Sequence, residues 1–120
     1  MMDETIDIAR LLRRVGGNQR VLEKLMRLTI DAAPAMMADV RTATARRDRA
    51  ALAGALHSLR GAMGLVAGDA LGSLAGQLEA AAHDASFEAL EEMRGALEGV
   101  VHRCITALEQ LVREQGVGGV

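Results

Sequence analysis

The residues best placed to do chemistry lie between Asp48 and Gly68, where a single histidine, His57, stands among small side chains. At about 100° per residue, Ala50, Ala53, Gly54, Gly61, Gly64 and Gly68 fall within about 60° of His57 on a helical wheel. Arg60 lies at the edge of that face, one turn on. Each glycine inside a helix costs roughly 0.5–1 kcal/mol relative to alanine, so Gly54, Gly61 and Gly64 together forgo about 2–3 kcal/mol. In a small domain that is a large fraction of net stability. Two uses could justify it: close approach of another helix, or access for a second protein to the imidazole. A lone ring among glycines is a poor knob for tight packing but is well exposed for reaction, which favours access. Imidazole is a competent nucleophile near neutral pH. Arg60 offers a permanent positive charge and several donors for phosphoryl oxygens. Phosphoryl transfer needs mainly positioning and charge neutralisation. No candidate metal site and no glycine-rich nucleotide loop accompanies His57, so the donor's machinery belongs to a partner.

The elements that must hold this face read as helices. The third helix runs from a cap at Asp48 through Arg49 to about Val66, with Leu52, Leu56, Leu59, Met63 and Val66 as its core stripe. Before it, Thr5 to Val15 carries Ile6, Ala9 and Leu12 at helical spacing and stops at Gly16-Gly17. Asn18 caps a long second helix in which Val21, Leu22, Leu25, Leu28 and Ala32 form the apolar stripe. Pro34 predicts a kink or short break near Ala33. Asp69 is expected to cap a fourth helix through Leu71, Leu74, Leu78 and Ala82, and Ser86 or Asp84 the next. The last helix repeats Leu90, Met93, Leu97, Val100, Cys104, Leu108 and Leu111 by threes and fours. The glycine-rich tail 116–120 is expected to fray. The sum is an all-α chain, one domain over 1–120: an up-and-down four-helix bundle with a short additional N-terminal helix.

Composition agrees and excludes other classes. Half of the 120 residues are hydrophobic, with one Phe, no Trp, no Tyr and one Pro, which suits helices more than strands. A net charge of −2 and the scarcity of aromatics argue against a nucleic-acid binder. Cys104 is the only cysteine, so the chain can form no internal disulfide. Neither a signal peptide nor a membrane span is apparent, and a cytoplasmic protein is expected. His83 suits a helix end, His102 the polar side of the last helix, and Cys104 its apolar stripe. Of the Met36-Met37 pair, a core position is favoured over a partner surface. Arg41, Arg46, Arg47 and Arg49 form a basic cluster with Asp48 that suits a solvated helix end or the steering of an acidic partner.

The stretch Ala55-Leu56-His57-Ser58-Leu59-Arg60-Gly61 resembles the signature of histidine phosphotransfer (HPt) domains, whose core reads H-x-L-K-G. Leu71, Leu74, Ala75, Leu78 and Glu79 are similar to the family's L..LA..LE helix. Gly16-Gly17-Asn18 and Lys24 to Val40 look like its glycine-led second helix with an AP turn. The resemblance implies a phosphocarrier in a two-component phosphorelay, not an autonomous enzyme. His57 would take a phosphoryl group from the aspartate of one receiver domain and pass it to another. Arg60 would stabilise the phosphate where the family usually has Lys. Gly54, Ser58, Gly61, Gly64 and Gly68 would form the surface through which the partner gains access. The implied partners are response-regulator receiver domains, a hybrid histidine kinase, or both, with the chain itself a monomer. It needs no cofactor, because magnesium would sit in the receiver. Two positions depart from the pattern: Ala67 followed by Gly68 where the family has its glycine one residue earlier, and Thr29 where it often has Phe. These predict a turn displaced by one residue and a smaller or more polar surface beside the histidine. Two alternatives share the bundle or the histidine: a non-transferring module that regulates a kinase or receiver, and the dimerising hairpin of a histidine kinase. The hairpin is disfavoured because this chain has enough helices to close a bundle alone.

Overall fold

The computed structural model describes Ile6 and residues 8–118, with side chains through Glu114; Thr5 and the tail's Gly119 and Val120 lie outside the described residues. Five helices follow one another: α1 (Ile8–Arg14), α2 (Gln19–Ala45), α3 (Arg49–Met63), α4 (Asp69–Ala81) and α5 (Phe87–Gly118). Among the described residues there is no strand. Helix α2 packs on α3 and α5, and α4 packs on the same two, so four helices close a ring around one core; α1 packs on α2 from outside it. The expected bundle with a short leading helix is what forms.

The boundaries follow from local chemistry. The Asn18 side chain accepts from the Val21 N–H, Asp48 from Ala51 and Ser86 from Ala89. Each satisfies a donor that a helix start leaves without a partner. After α1 the N–H groups of Gly16 and Gly17 reach back to the carbonyls of Arg13 and Leu12. This turn needs the left-handed region, which Gly16 enters at φ 65° without penalty. Asp69 does not cap α4 as expected. It is the first helical residue, Gly68 occupies the cap position without a side-chain bond, and the Asp69 carboxylate instead pairs with Arg10.

The core stripe of α3 is buried as the spacing predicts. That of α2 is rotated from the expected one: Leu22, Met26, Thr29, Ala33, Met37 and Val40 face inward, while Val21 and Leu28 are 42% and 55% exposed. Thr29 is admitted to the core because its hydroxyl donates to the Leu25 carbonyl at 2.9 Å, which leaves only the methyl to pack. Thr29 is therefore no part of a polar surface beside the histidine. Of the first helix's expected stripe, Ala9 is exposed and Leu12 half-buried, and Leu11 takes the core position. Helix α2 continues on both sides of Pro34, so no break forms there. The backbone of α5 stays helical through Gly118, three residues into the tail expected to fray. Met37 is buried and Met36 half-buried, which puts the pair at the core's margin.

Helices α2 and α5 are about twice as long as α3 and α4. Both overrun the α3–α4 turn, at the end of the bundle where α1 lies. Arg10 ties α1 to that turn, donating to the Ala67 carbonyl at 3.0 Å and to Asp69 Oδ1 at 3.2 Å. The opposite end is tied by Arg49, which bonds the Ala82 carbonyl and lies 4.5 Å above the Phe87 ring, with Arg47 over the same ring. Arg47 and Arg49 of the basic cluster are therefore structural. Arg41 pairs with Glu98 across α2 and α5.

Candidate functional site

Helix α3 presents two unlike faces. Leu52, Leu56, Leu59 and Met63 are buried without residue of exposure, and Gly54, His57, Ser58, Arg60 and Gly61 are exposed on the other side. The two uses of the glycines can now be separated. A Cβ built on Gly54 or on Gly61 would meet nothing within 4 Å. Neither glycine is there to let a neighbouring helix approach, so the face around His57 is open space. Gly64 differs: it closes the last turn of α3, and a Cβ on it would lie 2.6 Å from the Arg60 carbonyl oxygen. Its smallness serves the backbone.

Toward the C-terminal end of α3 the open face deepens into a cleft of about 500 Å³. His57, Arg60, Gly61, Gly64 and Gly68 line it, as do Leu71, Gly72 and Ser73 from α4. Gly54 and Ser58 are exposed outside the cleft. Gly68 is buried, so it belongs to the cleft's covered wall and not to the open access surface on which the sequence places it. The Ala67-Gly68 pair sits in the turn between α3 and α4, with Ala67 also buried and its carbonyl occupied by Arg10.

Arg60 is held more firmly than spacing alone suggests. Its guanidinium crosses to α4, where Nη1 donates to Glu79 Oε1 at 3.2 Å. Gly76 leaves the space it lies in, with a Cβ there coming within 3.9 Å of Cζ and Nη2. Glu79 thus fixes the arginine beside the cleft and offsets part of its charge. Sequence reasoning missed two further cations, Arg10 and Arg14, which α1 brings to the same cleft. Their spacing of four places them on one helix face, but only the fold reveals that this face turns toward a histidine more than forty residues away. His83 and His102 are both exposed and outside the cleft, and Cys104 is buried. No group of three or more metal-ligating side chains is assembled among the described residues.

The sequence profile of the Hpt domain matches residues 24–114. This chain belongs to the Hpt domain family. Members are histidine phosphotransfer modules of two-component systems, phosphocarriers that meet receiver domains and histidine kinases. The Hpt domain is also similar in fold to a solved structure, the HPT domain of a sensor hybrid histidine kinase from Shewanella. The two superpose with a TM-score of 0.78 at 19% identity, over 92% of this chain and 96% of that one. No curated protein matches the sequence. Among the described residues no helix of the Hpt domain is long and apolar enough to cross a membrane.

Proposed function

We propose that this domain carries a phosphoryl group on His57, accepting it from the aspartyl phosphate of one receiver domain and giving it up to the aspartate of another. The observation that carries this reading is the exposed imidazole on a face where Gly54 and Gly61 leave nothing within 4 Å of where a side chain would begin. A receiver's active site must bring its phosphorus to the ring, and a bare helix face permits that approach.

In the transfer, the lone pair of one ring nitrogen attacks phosphorus and a P–N bond forms. The P–O bond to the donor aspartate breaks, and its electrons leave with the carboxylate. The ring proton stays on the second nitrogen, and return transfer reverses each step. Arg60, already positioned by Glu79, donates to the phosphoryl oxygens and offsets their charge. The cleft is walled by Arg10, Arg14 and Arg60, a set that repels a divalent cation. The magnesium that supports the chemistry is therefore assigned to the receiver, and no cofactor to this domain. Because α2 to α5 close a ring within one chain, the domain is read as working as a monomer. A cytoplasmic site of action fits a chain with a single, buried cysteine.

The test is phosphotransfer from radiolabelled receivers. A label that is acid-labile and base-stable should appear on the wild type and be lost in His57→Gln, whose position is exposed and should not disturb folding. No label from any receiver of the source organism sinks the proposal. Loss of label with partner binding and biological effect intact in His57→Gln would favour a non-transferring regulator instead.

A further inference from the structure

The three arginines that wall the cleft are not equivalent. Arg10 is engaged by Asp69 and by the Ala67 carbonyl, and Arg60 is engaged by Glu79. Arg14 lines the same cleft as His57, yet its side chain makes no hydrogen bond or ion pair among the described residues. It stands in the last turn of α1, one turn beyond Arg10, and Arg10 is what fastens that helix to the α3–α4 turn. An arginine carried on a fastened helix, lining a cleft that already holds a nucleophile, is a pre-positioned cation with no carboxylate bonded to it among the described residues.

The geometry points to Arg14 as a second phosphate-binding residue, one that contacts the phosphoryl group on His57 from α1 while Arg60 does so from α3. This rests on His57 being the phosphorylated residue. The two guanidiniums then have distinct parts. Arg60 arrives with a carboxylate attached and must share its donors between Glu79 and the phosphoryl oxygens. Arg14, which no described residue engages, brings its charge and donors unshared. A dianionic phosphoryl group would thus be gripped between α3 and α1. The α1 residues of the cleft, Arg10 and Arg14, precede the segment that the family profile matches.

The test loads His57 chemically, with phosphoramidate as donor, so that no receiver is required. The second ionisation of the phosphoryl group is then followed by phosphorus NMR. Phosphate monoesters lose their second proton near pH 6, and a neighbouring cation lowers that value by favouring the dianion. The groups facing the phosphoryl group are Arg14 and Arg10 from α1, Arg60 from α3, and Asp69 with the paired Glu79 from α4. Arg14→Ala should raise the phosphoryl pKa by about half a unit or more. Arg14→Lys should restore most of the difference. Arg13→Ala makes the same change in net charge from the neighbouring residue, which is exposed and outside the cleft, and should leave the value unmoved. An Arg14→Ala value equal to wild type overturns the assignment, and so does an Arg13→Ala shift of the same size, which would mean diffuse charge and not contact. Failure of phosphoramidate to load the wild type overturns it as well. Loading without transfer from any receiver would instead sink the phosphorelay reading while leaving Arg14 to be judged on its pKa effect.

Discussion

Replacing Gly61 separates the stability of α3 from its use. Nothing lies within 4 Å of a Cβ at this position, so alanine adds no clash and removes a flexible residue from a helix. The intrinsic gain is about 1 kcal/mol for a mid-helix site and somewhat less here, in the last turn of Arg49–Met63. With an unfolding entropy of about 2.1 cal/mol/K per residue, a chain of 120 residues has roughly 250 cal/mol/K at its midpoint. A gain of 0.5–1 kcal/mol therefore raises Tm by about 2–4 °C. Gly54→Ala, in the middle of the helix, should give about 4 °C, and the two should add, since the sites are about 10 Å apart with no shared partner. Gly61→Gln should keep most of the stability gain while placing a flexible side chain one turn from His57. Transfer from a receiver should then slow by tenfold or more, with loading by a small phosphodonor unchanged. Calorimetry and a single-turnover transfer assay on the same preparations decide the matter. A fall in Tm for Gly61→Ala would refute the claim that this face is open. Wild-type transfer by Gly61→Gln would refute the claim that the openness serves docking.

Three further perturbations have signs fixed by local geometry. Gly64→Ala should lower stability by about 1–3 kcal/mol, opposite to its neighbour at 61, because its Cβ falls 2.6 Å from the Arg60 carbonyl; thermal unfolding measures it. Arg10→Ala should cost about 1–3 kcal/mol through loss of the Ala67 and Asp69 bonds, and hydrogen exchange should rise in α1 and in the α3–α4 turn before the rest of the bundle. The carboxyl group of Glu98 is held below the usual carboxylate range chiefly by its hydrogen bond from Arg41, with Arg94 adding attraction and partial burial opposing. A lowered folded-state pKa gives stability that is present above the unfolded value and lost as pH falls through the folded one. Glu98→Gln should accordingly melt below wild type near pH 7 by the small amount typical of exposed pairs, and the difference should vanish at pH values that protonate Glu98 in the folded state; melting curves across that range test it.

The legibility of the chain depended on how many signals agreed at each position. In α3 every core position is a leucine or methionine, so spacing alone places Leu52, Leu56, Leu59 and Met63 inside and His57 outside; the helix ends at Met63, short of the expected Val66, which is buried in the turn beyond it. In α2 the stripe includes a threonine, and apolar residues also occur off it. Hydropathy does not register that Thr29 satisfies its hydroxyl on the Leu25 carbonyl, so spacing puts the stripe one residue out, with Val21 and Leu28 inside. Asp69 suited a cap by type and position, but a guanidinium fifty-nine residues earlier competes for the same carboxylate. The motif around His57 and Arg60 was local and could be read; the pairing of Arg60 with Glu79 was not predicted. The contribution of Arg10 and Arg14 to the cleft arises only when α1 folds back on the far turn.

That folding back also determines where the domain can be cut. The family profile begins at residue 24, inside α2 and beyond α1. A fragment starting there would lack Leu22, which is wholly buried, and Leu11, which is 1% exposed. Burying two leucines stabilises by roughly 3–6 kcal/mol, comparable to the whole stability of a small domain. The cut would also remove the Asn18 cap and the Arg10 tie to Ala67. The cooperative folding unit thus reaches at least to Leu11, and any fusion, truncation or domain exchange made at the profile's edge would divide it.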